Sequence, residues 1–156
     1  AALPPTDPQK GELLFAKAEL ADLFGRYDEE IAAYREALAL PHPSDVWKNN
    51  LAVVLALHAK DESGLPVALV NEVISARGPR PTYLDTRAVV HLAASRFAQA
   101  ERDLNVALSL DPKAVYYFHL AQAYRRQQDD KSGYRERAAE AFRRAKEKGL
   151  TKAMLH

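Results

Sequence analysis

Apolar residues recur along this chain with helical rather than strand periodicity. Val, Ile and Thr are too sparse and too unalternated for β-strands. Breakers punctuate the pattern at Pro41-His42-Pro43, Gly64-Leu65-Pro66, Gly78-Pro79-Arg80-Pro81, Asp111-Pro112, Gly133 and Gly149. Between them the spacing predicts eight helices, over 9–24, 27–40, 44–59, 65–77, 81–94, 97–110, 113–127 and 134–148. Ser44, Asp45 and Asp111 are candidate N-caps, and Pro112 suits a first helical position.

The helices repeat as pairs. Ala18, Ala52, Ala88 and Ala121 each lie midway along a first helix, at spacings of 34, 36 and 33 residues. A small residue there lets the partner helix approach closely. The second helices carry Tyr34, Val70, Leu104 and Phe142, followed three residues later by Ala37, Val73, Ala107 and Ala145. A large residue and a small one on the same face suit interlocking packing. Leu13, Trp47, Tyr83 and Tyr116 form a further column five residues before each small residue, which reads as packing between repeats.

This phrase resembles the tetratricopeptide repeat, a 34-residue helix–turn–helix unit. The third unit carries the resemblance best, through Leu84, Ala88, Ala100, Leu104, Ala107 and Pro112. The fourth matches through Tyr117, Leu120, Ala121, Tyr124, Ala138, Phe142 and Ala145. The first matches through Ala18, Gly25, Tyr27, Tyr34 and Ala37, but has Glu30 where a small residue is usual, which implies a looser hairpin. The second fits through Asn50, Leu51, Ala52 and Leu55, and its second helix opens at Pro66, where the family prefers Ala.

The resemblance implies an all-α fold, an α-solenoid of about four units wound as a right-handed superhelix. The units are 9–43, 44–80, 81–112 and 113–148. Residues 1–8 read as a Pro-rich linker, and 149–156 as a tail or the start of a following helix. The chain opens at Ala1 without an initiator Met, which reads as a segment cut from a longer protein.

Charge and chemistry narrow the picture by exclusion. The 156 residues carry no cysteine, which excludes disulfides and thiolate metal sites and leaves the compartment open. The longest apolar run, Leu51 to Leu57, is far too short to span a bilayer. His42, His58, His91, His119 and His156 show no zinc-site spacing. There is no Gly-rich phosphate loop and no Gly-x-Ser-x-Gly elbow. Asp61-Glu62 and Asp129-Asp130 read as solvated loop carboxylates. His91 and His119 fall on first helices of adjacent units, within possible reach of each other. The expectation is therefore no enzyme, no metal and no cofactor.

Net charge is +1, but residues 1–112 hold 11 Lys/Arg against 16 Asp/Glu, and residues 113–156 hold 11 against 5. Solvated helix faces account for most of this. Nucleic-acid or acidic-partner binding through Arg125, Arg126, Arg143, Arg144, Lys146 and Lys148 is an alternative reading.

In the family a concave face, lined by the first helices, binds segments of other proteins. Carried onto this sequence, that face implies Phe15, Glu19 and Asp22; Val46, Asn49, Val53 and Ala56; Thr82, Asp85, Val89 and Leu92; and Val115, Phe118, Gln122 and Arg125. The Lys and Asn clamp that chaperone-cofactor members use on a peptide carboxylate is missing at these places. The expected function is a protein–protein interaction scaffold with an apolar middle, an acidic N-terminal end and a basic C-terminal end. A small chaperone for a hydrophobic client is a second reading. Self-association through an exposed terminal helix is a further possibility.

Overall fold

The computed structural model describes residues 8–59, 63–127 and 133–154. The pairs Asp61-Glu62 and Asp129-Asp130, most of the N-terminal linker and His156 lie outside the described residues. Among the described residues the chain is all-helical and without strands. Its helices are α1 (Pro8–Leu23), α2 (Tyr27–Leu38), α3 (Asp45–Leu57), α4 (Leu65–Arg77), α5 (Pro81–Ala93), α6 (Phe97–Leu110), α7 (Ala114–Arg126) and α8 (Tyr134–Glu147). A short 3-10 turn follows at Lys152–Met154. No helix among the described residues is long and apolar enough to cross a membrane.

Contacts divide the chain into two compact units, the first ending at Val73 and the second beginning at Ile74, inside α4. In unit 1, α1 packs on α2 and α2 on α3. Ala18, Ala37 and Ala52 are fully buried there, and Tyr34 nearly so. Small residues at the helix crossings let Tyr34 fill the space between them, and its buried hydroxyl accepts a 3.1 Å hydrogen bond from Asn50 Nδ2. A Cβ added at Gly11 would stand 2.7 Å from Trp47 Cη2, so α1 needs glycine at that approach. Lys48 Nζ meets Glu72 Oε2 at 3.0 Å, tying α3 to α4.

In unit 2, α5 pairs with α6 and α7 with α8, while α7 also packs on α6 and α5. One apolar cluster joins them, including Leu84, Ala88, Leu92, Leu104, Tyr116, Leu120 and Tyr124.

The hairpin turns of α1/α2 and α5/α6 share one geometry. Gly25 (φ 65°) and Ser95 (φ 56°) both take left-handed backbone. In each turn the next amide closes the helix end, Arg26 N–H on Ala21 O and Arg96 N–H on His91 O, both at 2.8 Å. Ser44 caps α3, its Oγ accepting from Val46 N–H at 3.2 Å.

Two sequence expectations are corrected around α7. Asp111 does not cap it but ends α6, and Pro112 lies outside both helices. The cap position is Lys113, whose ammonium has no acceptor to offer the first turn and pairs with Asp111 instead. The first hairpin carries Glu30 where the sequence implies a looser fit. Ala18 is 0% exposed and Glu30 only 6%, so the hairpin closes around the carboxylate.

Candidate functional site

The helix faces named from the sequence divide by burial. In unit 1, Glu19, Asp22 and Val46 are exposed, and Phe15 and Val53 are half-buried. Phe15 leans on Tyr34, with ring centroids 6.4 Å apart. Asn49 and Ala56 are buried, so neither is a surface group. Asn49 keeps its Oδ1 without a hydrogen-bond partner. In unit 2, Thr82 is exposed, and Asp85, Val89, Val115, Phe118 and Gln122 are half-buried. Leu92 belongs to the core and is withdrawn from any partner-facing role.

The structure brings Phe118, Gln122 and Arg125 together with residues that the sequence did not assign to a surface. They line a recess of about 650 Å³ between α7 and α8, with Ala121 and Tyr124 on the α7 side and Arg135, Ala138, Ala139 and Phe142 on the α8 side. The two alanines of α8 create the hollow, because neither reaches far enough to fill it. The Phe118 and Phe142 rings meet at 6.4 Å and 52°, a tilted aromatic pair inside the range that favours such contacts. Arg125 and Arg135 rim the recess, and neither makes an ion pair with a described residue.

A polar network ties the helices of the recess to α6. Arg137 donates to Glu101 Oε1 at 2.6 Å and to Tyr124 Oη at 2.8 Å, and its guanidinium lies 4.2 Å from the Tyr124 ring centre. Tyr124 in turn donates to Glu101 at 3.3 Å. One arginine thus joins α6, α7 and α8 by charge-assisted hydrogen bonds and a cation–π contact. Burial, with the Glu101 charge behind it, pushes the Tyr124 hydroxyl pKa up.

Four of the other basic residues of this end have partners. Arg143 pairs with Glu140 and Glu147, and Arg144 Nε donates to Glu140 at 2.8 Å. Arg126 donates to Leu92 O at 3.3 Å, and Lys146 sits 4.8 Å over the Phe142 ring.

Sequence reasoning singled out Glu30, His91 and His119 without their burial, and missed Arg87 and Asp103. Arg87 grips Asp103 with two hydrogen bonds of 2.8 and 2.7 Å across the α5/α6 hairpin. His91 Nε2 lies 3.9 Å from Asp103, its Nδ1 has no partner, and burial lowers its pKa, so it is neutral near pH 7. His119 Nδ1 is 2.7 Å from Asp85 Oδ1. In unit 1, burial first, then the charges of Asp22 and Glu19, raise the Glu30 carboxyl to about 7. The signal for these was apolar periodicity broken by one charged residue on an otherwise buried face. Among the described residues no group of three or more His, Asp or Glu is arranged to hold a metal ion.

Neither a protein-family model nor a curated protein matches this chain.

Proposed function

We propose that the chain is a non-catalytic interaction module of tetratricopeptide-repeat type, an α-solenoid whose first helices present binding positions to segments of other proteins. The observation that carries this reading is the recess on α7 and α8. It is floored by aromatic and small apolar side chains and rimmed by Arg125 and Arg135, neither of which makes an ion pair with a described residue, and it contains Phe118 and Gln122. Aromatic floors with charged rims suit an apolar anchor on a helical or extended segment, with a carboxylate nearby. The repeated hairpins, with Ala18, Ala52 and Ala88 all fully buried, support the family reading.

The nucleic-acid reading is less well supported, because Arg143 and Arg144 already face Glu140 and Glu147 on their own helix. Phosphate binding needs cations free to displace counterions.

A displayed library of helical peptides, selected on the immobilised chain, tests the proposal. Selected peptides should carry apolar anchors and lose binding at least tenfold on Phe118→Ala, with Val89→Glu weakening them too. Peptides that bind both variants as well as the parent chain remove the assignment of these faces.

A further inference from the structure

Hydrogen-bond demand picks out one corner of unit 1. Glu30, on α2, is 6% exposed and its Oε2 has no partner. Asn49, on α3, is 9% exposed and its Oδ1 has no partner either. The two are strung on one polar path. Asn49 Nδ2 donates to Asn50 Oδ1 at 3.5 Å, Asn50 Nδ2 donates to Tyr34 Oη at 3.1 Å, and the Glu30 charge acts on that hydroxyl. Both open atoms are acceptors, so whatever completes them must bring donors.

The rim adds charge and an aromatic wall. Phe15, Glu19 and Asp22 share one stripe of α1, at i, i+4 and i+7. Glu19 and Asp22 are exposed, and both charges act on Glu30 and on the Tyr34 hydroxyl. Phe15 is half-buried and tilted at 57° against Tyr34. No described cation of unit 1 is placed to answer these acids. Lys10, Arg26 and Lys48 pair with Glu36, Glu29 and Glu72. Lys17 lies about 200° round α1 from Glu19, and Arg35 about 140° round α2 from Glu30.

The occupant must therefore meet three requirements at once. It donates hydrogen bonds to separated acceptors, carries positive charge and lies against an aromatic ring. A guanidinium has five donors in a planar fork, no acceptor and a face that stacks on aromatic rings, whereas an ammonium concentrates three donors at one point. Water meets only the first requirement.

We infer that this corner binds an arginine side chain of a partner segment, its guanidinium donating to Glu30 and Asn49 between the Glu19 and Asp22 carboxylates and lying against Phe15. The inference rests on reading the first-helix faces as surfaces for segments of other proteins, and it names the residue that unit 1 selects. Oε2 is buried, so binding turns the Glu30 carboxyl about its side-chain torsions toward the rim. The ionised carboxylate is the form that takes the guanidinium. Burial first, then Asp22 and Glu19, raise that carboxyl to about 7, so binding releases a proton and tightens as pH rises through 7. The other titratable or charged groups facing this corner are Tyr34 and Arg26 on α2 and His58 on α3, which stacks on Tyr27 with centroids 3.4 Å apart.

Nuclear magnetic resonance titration of the full chain, with isotope-labelled Glu carboxyls, tests this. The probes are the peptide acetyl-Ala-Arg-Ala-amide, its lysine and citrulline counterparts, and free spermidine. The arginine peptide should bind more tightly than the lysine one, and the uncharged citrulline one not at all. Its binding should be about tenfold tighter at pH 8 than at pH 5, the factor that a shift of one unit in the Glu30 carboxyl produces. Glu30→Gln removes that pH dependence, and His58→Gln leaves it in place. Glu19→Gln with Asp22→Asn, both exposed, weakens binding at either pH, and circular dichroism checks that helicity is kept.

No response to the arginine peptide up to about 50 mM, where even a Kd of that order is visible, means that water serves the corner and overturns the proposal. Lysine or citrulline bound as tightly as arginine overturns the guanidinium assignment. Spermidine bound more tightly than the arginine peptide gives the corner to a free polyamine and overturns the partner segment. If the arginine probe fails while the selected peptides still depend on Phe118, this inference falls and the proposed function stands. If the probe binds and Phe118→Ala changes nothing, the corner stands and the recess loses its role.

Discussion

Units 1 and 2 each bury one carboxylate in the second helix of a hairpin, and they answer it differently. In unit 2, Asp103 is 8% exposed and held by both arms of Arg87 from the facing helix. In unit 1, Glu30 is 6% exposed, keeps one oxygen without a partner and sits beside Glu19 and Asp22. Asp103 is therefore a charge solved inside its own hairpin. Glu30 is a charge left open, and it titrates near neutrality. A hairpin of this kind accommodates a buried acid in either setting, but only Asp103 meets a cation within its own hairpin.

The largest effect separates packing from charge. Leu104→Ala in unit 2 and Tyr34→Ala in unit 1 each remove a fully buried side chain at the same repeat position. Each is expected to cost about 3–4 kcal/mol, measured by urea denaturation. Phe142→Ala, at that position in the last hairpin, should cost under about 1 kcal/mol, because its ring is 39% exposed. Equal losses at Leu104 and Phe142 would mean that the last hairpin is covered after all.

Arg87→Ala comes next. It leaves Asp103 buried and unpaired, so a loss of about 2–3 kcal/mol is expected, below the range for fully buried pairs because Arg87 keeps 25% of its side chain in solvent. Arg87→Ala with Asp103→Ala should recover part of that loss, since no lone charge remains. A double variant as unstable as the single one would assign the cost to lost packing instead.

The eight helices were legible in the sequence to within two residues at their ends, because breakers and apolar period agree at each boundary. The column of Ala18, Ala52, Ala88 and Ala121 was legible because small residues at a helix crossing recur at the repeat length. The recess was half legible. Phe118, Gln122 and Arg125 follow from first-helix positions, but Arg135, Ala139 and Phe142 do not, because the sequence pattern of Phe142 is that of a core residue. Whether a core-type residue is covered depends on what packs beside it, and periodicity does not encode that. Pairings such as Arg87 with Asp103, 16 residues apart, were invisible for the same reason: they depend on the rotation of one helix against another.

The open acid of unit 1 gives a pH signature. With its folded pKa raised from 4.5 to about 7, Glu30 stays protonated in the folded chain while the unfolded chain ionises. Stability is thus full below about pH 4.5 and falls as pH rises through 7, by about 1–2 kcal/mol after allowing for solvent at its acidic rim. His91 acts in the opposite sense. Its lowered pKa means stability is lost as pH falls through 6.5. The difference between the parent chain and Glu30→Gln, melted at about pH 5 and pH 8, isolates the carboxyl. The variant should gain relative stability only at the higher pH, and a constant gap would show that Glu30 does not titrate.

The smallest expected effect lies in the turns that close the two hairpins. Both place one residue in left-handed backbone with the same amide bonds, yet unit 1 uses Gly25 and unit 2 uses Ser95. A Cβ raises the energy of that backbone by about 1–2 kcal/mol, while glycine loses about 0.5–1 kcal/mol more chain entropy on folding. Ser95→Gly should therefore stabilise the chain by about 0.5–1 kcal/mol, and Gly25→Ser should destabilise it by as much. Neither substitution meets a neighbour, since a Cβ built at Gly25 finds open space and Ser95 is exposed. Opposite shifts in melting temperature from this exchange would show that the two hairpins share one backbone and differ only in how their sequences fit it. Shifts of the same sign would mean that the turns are held by their surroundings, and that the likeness of the units stops at the helices.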